Sequence, residues 1–173
     1  NGGNIAVVDG GTNQIVRFYN TTTGAQGTQL GVNGGYANNP DVTNTKFFFD
    51  DYRGNKNSFI AYAPDGSFWL GDPGNYRELH FDASKNYVEY IMSLGSSYST
   101  CVDPNNISRV FCNYLEFAVD YSQPLSGSTG WKLAKNWGYN YTNNVNLAKL
   151  LNVVTLSNGR TYGANSAPGA GYQ

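Results

Sequence analysis

The feature that most limits what this chain can fold into is that it repeats itself. The segment Ile5-Ala6-Val7-Val8-Asp9-Gly10-Gly11-Thr12-Asn13-Gln14-Ile15-Val16-Arg17-Phe18 aligns with Phe68-Trp69-Leu70-Gly71-Asp72-Pro73-Gly74-Asn75-Tyr76-Arg77-Glu78-Leu79-His80-Phe81, with Asp9 falling on Asp72. Each copy is an apolar strand ending in Asp, a tight Gly-containing turn, and a second strand ending in Phe. Both run on to a Leu-Gly pair, at Leu30-Gly31 and Leu94-Gly95. A third, partial copy is Glu116-Phe117-Ala118-Val119-Asp120, with a longer return through Gly127, Gly130 and Trp131. A fourth trace surrounds Asn158-Gly159 and resembles the stretch around Asp65-Gly66; both are hairpin turn pairs. One antiparallel meander cannot bury both of its faces, so repeated meanders must stack against one another. Repeats of this kind build radial or linear β arrays.

Composition agrees with strands. Aromatic residues make up 15% of the 173 positions and charged residues only 13%, which is too apolar and too weakly charged for disorder. Aromatic and β-branched residues suit pleated faces, and the 21 glycines suit turns. The stretch Asn144 to Leu151 allows one or two helical turns, and no longer window shows the 3.6-residue period. The strand-end aspartates Asp9, Asp72 and Asp120 are expected to accept backbone N–H bonds from the turns that follow. Asn75 is expected to hold the left-handed position of its turn.

The unit "apolar strand, Asp, turn, Asn, Arg, apolar strand, Phe", best seen in Asp72 to Phe81, resembles the NHL repeat of β-propellers. Gly34-Gly35-Tyr36-Ala37-Asn38-Asn39-Pro40 is similar to that family's connector between blades, and the likeness is carried by residues 4 to 95. Gln14 stands where the family usually carries Arg. The resemblance implies an all-β fold of β-propeller blades, each an antiparallel four-stranded meander. The blade-like units fall at about 1–45, 46–96 and 97–145, with 146–173 incomplete. Propellers close with about four to eight blades, so roughly three to four blades make a partial propeller. Blades from a longer polypeptide or from associating chains are expected to complete the ring. Asn1-Gly2-Gly3-Asn4 reads as a mature or trimmed end rather than a signal segment.

Some propellers of this class are zinc-dependent lyases that use several histidines; this chain has one, His80. A lone strand histidine is expected to be packed or solvated, which also leaves a Ser/His/Asp arrangement without support. No Gly-X-Ser-X-Gly elbow is present. The adjacent Asp50 and Asp51 point to opposite sides of a strand and make a poor glycosidase pair. A calcium site from Asp50, Asp51 and Asn55 is conceivable, although a solvated turn explains them as well. The reading leans away from an enzyme, and no cofactor or metal is expected.

Cys101 and Cys112, separated by an Asp103-Pro104-Asn105 turn signal, are expected to pair as a disulfide across a hairpin. Sequons stand at Asn20, Asn106 and Asn140. Together these point to a secreted, extracellular or cell-surface glycoprotein. Net charge is −1 with no basic run, so a nucleic-acid partner is not expected. No apolar stretch approaches the ~20 residues needed to span a bilayer. The remaining recognition feature is an aromatic group, Trp131, Trp137, Tyr139 and Tyr141, as a possible ligand surface beside its alternative role in strand packing. The expected function is a non-catalytic module that binds a protein or its own copies in a surface assembly. The alternative is a carbohydrate-binding lectin or a lyase-type propeller enzyme.

Overall fold

A computed structural model of the chain describes residues 3–35, 40–49, 58–93, 99–125, 129–137 and 150–165. The protein is all-β and its sheets are antiparallel meanders. Two compact units are present, Asn1–Asn38 with Thr43–Leu94, and Asn39–Val42 with Gly95–Gln173.

The first unit holds two sheets. β1 (Asn4–Asp9), β2 (Ile15–Asn20) and β3 (Gln26–Leu30) form one of three strands. β4 (Ile60–Tyr62), β5 (Phe68–Asp72), β6 (Arg77–Phe81) and β7 (Tyr87–Met92) form one of four. The period-2 alternation of β6 buries Arg77, Leu79 and Phe81 and leaves Glu78 and His80 half-buried. One core joins Val16, Phe18, Leu30, Phe68, Leu70, Leu79 and Phe81 with Phe47 and Phe49 from the segment between the sheets. Phe47 stacks on Phe49 at 5.3 Å and meets Phe81 edge-on at 6.3 Å. Gly31 lets that segment approach: a Cβ there would lie 2.7 Å from Phe47, and its φ of 112° lies in the left-handed half of the map.

The second unit holds β8 (Thr100–Asp103), β9 (Asn106–Cys112), β10 (Leu115–Val119) and β11 (Trp131–Asn136) in one four-stranded sheet. β12 (Leu150–Thr155) and β13 (Thr161–Asn165) make a two-stranded sheet, with β12 packed beside β8. Phe111 and Val153 are the buried centre of that contact. Pro40 to Val42 runs along the edge of β11 through Val42 N–H to the Ala134 carbonyl (2.9 Å) and Asn136 N–H to the Pro40 carbonyl (3.0 Å).

One hairpin turn recurs in the hydrogen bonds. It closes β6 to β7 through Asp82 N–H to the Asn86 carbonyl and Lys85 N–H to the Asp82 carbonyl, each at 2.9 Å. At the β4–β5 turn, Ala63 N–H donates to the Ser67 carbonyl at 2.8 Å and Gly66 N–H to the Ala63 carbonyl at 3.0 Å. At the β12–β13 turn, Leu156 and Gly159 make the same two bonds, each at 2.9 Å. Asp65 and Asn158 both accept from the backbone two residues on, and Gly66 and Gly159 both have positive φ. The two four-stranded sheets also match. Ser93 N–H donates to the Tyr76 carbonyl in one, and Trp137 N–H to the Tyr114 carbonyl in the other.

That match shifts two sequence readings. β10 corresponds to β6, so Asp120 follows the third strand of its meander whereas Asp72 closes the second. The left-handed residue of the β5–β6 turn is Tyr76 (φ 53°), while Asn75 lies within the 3₁₀ turn Pro73–Asn75. Gln14 (φ 51°) holds the position equivalent to Tyr76 between β1 and β2.

Candidate functional site

Three polar constellations are built on the strand ends. Asp9 closes β1, and its carboxylate accepts the Gly11 N–H at 3.1 Å, the Asn13 amide at 3.0 Å and Arg17 Nε at 3.1 Å. Those donors, the Asn13 amide foremost, hold Asp9 below its ordinary value. Asp72 closes β5 with the same partner types, Asn75 at 2.9 Å and Arg77 Nε at 2.7 Å, now fully buried. Asp72 Oδ1 also accepts the Phe48 N–H, and Gln14 Oε1 accepts the next amide, Phe49 N–H, each at 2.6 Å. Two equivalent turns therefore grip successive amides of one core segment. Arg77 Nη2 donates on to the Thr43 carbonyl at 2.7 Å. Gln14 thus acts through its side-chain oxygen, and the guanidinium of the first repeat comes from Arg17.

The third constellation lies where β12–β13 meets β8 and β9. Arg109 binds Glu116 in a fork, Nε to Oε1 at 2.7 Å and Nη2 to Oε2 at 3.0 Å. Its Nη1 reaches Asp103 at 3.3 Å and the hydroxyls of Thr155 (2.7 Å) and Thr161 (2.9 Å). Asp103 also accepts both the N–H and the hydroxyl of Thr155. Against the upward push of burial, the Thr155 and Asn105 donors and Arg109 hold Asp103 below its ordinary value. Glu116 further accepts Trp137 Nε1 at 2.9 Å. The sequence reading missed this network, since Arg109 and Glu116 become neighbours only through the β9–β10 register.

These groups bond chiefly to one another, with Asp72 and Arg77 sealed in the core and Asp9 and Arg17 partly exposed. Among the described residues, a cleft of about 280 Å³ opens where β10 ends and β11 begins, lined by Val119, Asp120, Thr129, Gly130, Trp131 and Lys132. Its floor is fixed at Gly130, where a Cβ would sit 2.6 Å from the Pro124 carbonyl oxygen. Asp120 accepts the N–H and hydroxyl of Ser122, and Trp131 packs edge-on against Phe117 at 5.7 Å. Trp131 shares its face of the sheet with Val119 and Phe117, while Lys132 points to the other face with Ala118.

Of the four aromatic candidates, Trp131 lines this cleft. Trp137 sits beyond the other end of β11, tied to Glu116 and packed near Phe111 and Val153. At ~3.3 Å rise per residue, roughly 20 Å of strand separates the two indoles, so they do not form one platform. Tyr139 and Tyr141 lie outside the described residues, as do Asp50, Asp51, Asn55 and the sequon residue Asn140. Asn20 and Asn106 are both exposed.

The expected disulfide pair lies on β8 and β9. The β8–β9 register opposes Cys101 to Phe111 and Thr100 to Cys112, which sends the two sulfurs to opposite faces of the sheet. Burial pushes the Cys101 thiol up. His80 lies across from Trp69 and Glu89, its ring stacked on the indole at 4.6 Å and its Nδ1 3.3 Å from Glu89 Oε1. Among the described residues, no group of three or more His, Cys, Asp or Glu side chains is placed to hold a metal ion. Among them, too, no helix is long and apolar enough to cross a membrane. Comparison with protein-family models and with curated proteins finds no match to this chain.

Proposed function

We propose that this chain is a run of NHL-like β-propeller blades that serves as a non-catalytic module for protein binding or surface assembly outside the cell. The observation that carries the reading is the pair of four-stranded antiparallel meanders, β4 to β7 and β8 to β11. Each is closed by the same bond from the residue after its last strand to the residue before its third, Ser93 N–H to the Tyr76 carbonyl and Trp137 N–H to the Tyr114 carbonyl. Stacked meanders of this kind present a rigid framework whose loops and rims do the recognising. The buried ions add to that framework: Asp72 with Arg77, and Asp103 with Arg109 and Glu116, are consumed in mutual bonds. The recognition surface on this reading is the cleft beside Trp131, with Asp120 and Thr129 at its rim.

Carbohydrate binding is the second reading, favoured by the same cleft, because Trp131 lies there with the polar residues Asp120 and Thr129, and an indole with polar neighbours suits a sugar ring. Trp131→Ala, compared with the intact protein, separates the two. Sedimentation velocity over a range of concentrations reads self-association, and a glycan array reads sugar binding. Association weakened by Trp131→Ala supports the assembly role. A glycan signal lost in the same variant moves the function to a lectin. Turnover of a polysaccharide by the purified chain contradicts both.

A further inference from the structure

We propose that the turn between β1 and β2 is a second docking site, which takes an extended aromatic segment of a partner protein by its backbone. The turn between β5 and β6 shows how such a segment is held. There Phe48 is gripped at both of its backbone groups: Asp72 Oδ1 accepts its N–H at 2.6 Å, and Gly74 N–H donates to its carbonyl at 2.8 Å. Asp72 Oδ2 takes Asn75 Nδ2 and Arg77 Nε, which fix the carboxylate. Phe47 and Phe49, on either side of the gripped residue, fill the core with Phe68 and Leu70.

The first turn carries the same parts at the surface. Asp9 and Gly11 align with Asp72 and Gly74. Asp9 Oδ2 again takes an Asn amide and an Arg Nε, from Asn13 and Arg17. The two groups equivalent to those that grip Phe48 bond to each other instead, Gly11 N–H to Asp9 Oδ1 at 3.1 Å. Gly11 is exposed, and the Asp9 side chain is 24% exposed where that of Asp72 is sealed. Ile5 and Val7 align with Phe68 and Leu70 and share the face of Asp9 by period-2 alternation. Phe68 and Leu70 are buried, whereas Ile5 and Val7 are 55% and 43% exposed. Asp103 shows that one carboxylate oxygen serves both kinds of donor. Its Oδ1 accepts the Asn105 N–H of its own turn and the Thr155 N–H of a distant segment, each at 3.1 Å.

What the turn reads sets the occupant. A carboxylate and an N–H address the backbone of one residue, and the apolar ground of Ile5 and Val7 favours bulky side chains on its neighbours. That is the chemistry of Lys46-Phe47-Phe48-Phe49, presented by another molecule, because this chain's own copy is held at Asp72. Main-chain bonds give such capture its affinity and the flanking side chains its specificity. The inference rests on the binding-module reading above and adds to the cleft beside Trp131 a surface made of different residues.

The test titrates the intact protein into a dye-labelled peptide with the sequence of Asp41 to Asp50, read by fluorescence anisotropy. The internal segment keeps its own site, since its tether gives it a high effective concentration. The expected result is binding that Asp9→Ala weakens by about tenfold or more, the worth of a hydrogen bond to a charged group. Val7→Lys should weaken it as well. A peptide N-methylated at Phe48 lacks the donor and should lose binding to the unaltered protein, which keeps folding out of the comparison. No anisotropy change up to about 1 mM protein overturns the proposal. So does a peptide bound equally well by Asp9→Ala or after N-methylation. Polysaccharide turnover by a chain that binds the peptide through Asp9 contradicts the non-catalytic reading and leaves this site standing. Self-association weakened by Trp131→Ala in a chain that binds no peptide overturns this site alone.

Discussion

Asp72 and Asp9 occupy equivalent turns with the same partner types, yet their environments differ, and that difference sets what each contributes. The Asp72–Arg77 pair is sealed in the core, whereas Asp9 and Arg17 are each about a fifth to a quarter exposed. Asp72→Ala strands a buried guanidinium and should cost about 3–5 kcal/mol. Asp9→Ala should cost under about 1 kcal/mol, because water replaces the lost partner. Urea midpoints of the two variants check the contrast, and equal losses would remove it. Gly31→Ala forces a methyl against Phe47 at an unfavourable φ and should cost about 2 kcal/mol by the same measurement. Asp9, Asp65, Asp82, Asp103 and Asp120 are all held below the ordinary 3.8. The unfolded chain therefore binds their protons first as pH falls. The stability they give is present above that value and lost on acidification through their folded-state values, while burial pushes Asp72 up and works in the opposite sense, so thermal melts should fall modestly from about pH 4 downward. A flat profile there would contradict the turn bonds. The Asp-to-turn bond at Asp9 is legible in sequence because its donor, Gly11, is two residues away. The grip of Gln14 on Phe49 is not, because a distant segment supplies the amide.

Hairpins were readable where the turn itself carries the information. Asp65-Gly66 and Asn158-Gly159 place a carboxamide or carboxylate and a positive-φ glycine in fixed order, and both turns close with the same two backbone bonds. Strand identity was harder. "Apolar strand ending in Asp" describes β5 and also β10 with the residue after it, although they hold different places in their meanders. The cysteines show the sensitivity of a period of two: a one-residue difference in register turns facing sulfurs into sulfurs on opposite sides. Arg109 is the pin between β9 and the β12–β13 hairpin through Thr155 and Thr161. Arg109→Ala should lower the free energy for opening that hairpin by about 2 kcal/mol. Amide hydrogen exchange reads this as faster exchange in β12 and β13, with β5 and β6 unchanged. Unchanged exchange in β12 and β13 would show that apolar packing around Val153 suffices.

At the scale of the whole molecule, the claim is that one meander is used again and again. Repeat spacing, aromatic content and turn chemistry make the all-β class legible in the sequence. The number of strands in each sheet is not: among the described residues the first sheet has three, where four are expected in a complete blade. The cleft beside Trp131 was half legible. Aromatic clustering in sequence pointed to it, but β11 carries Trp131 and Trp137 to opposite ends. The measurement that tests the account most directly is an experimental structure of the intact protein, read for the rotation that carries each sheet onto the next. The propeller account predicts one recurring rotation about a single shared axis, with Ala63–Ser67 superposing on Leu156–Arg160 under it. Sheets related by unlike rotations, or packed face to face as a two-layer sandwich, would contradict it.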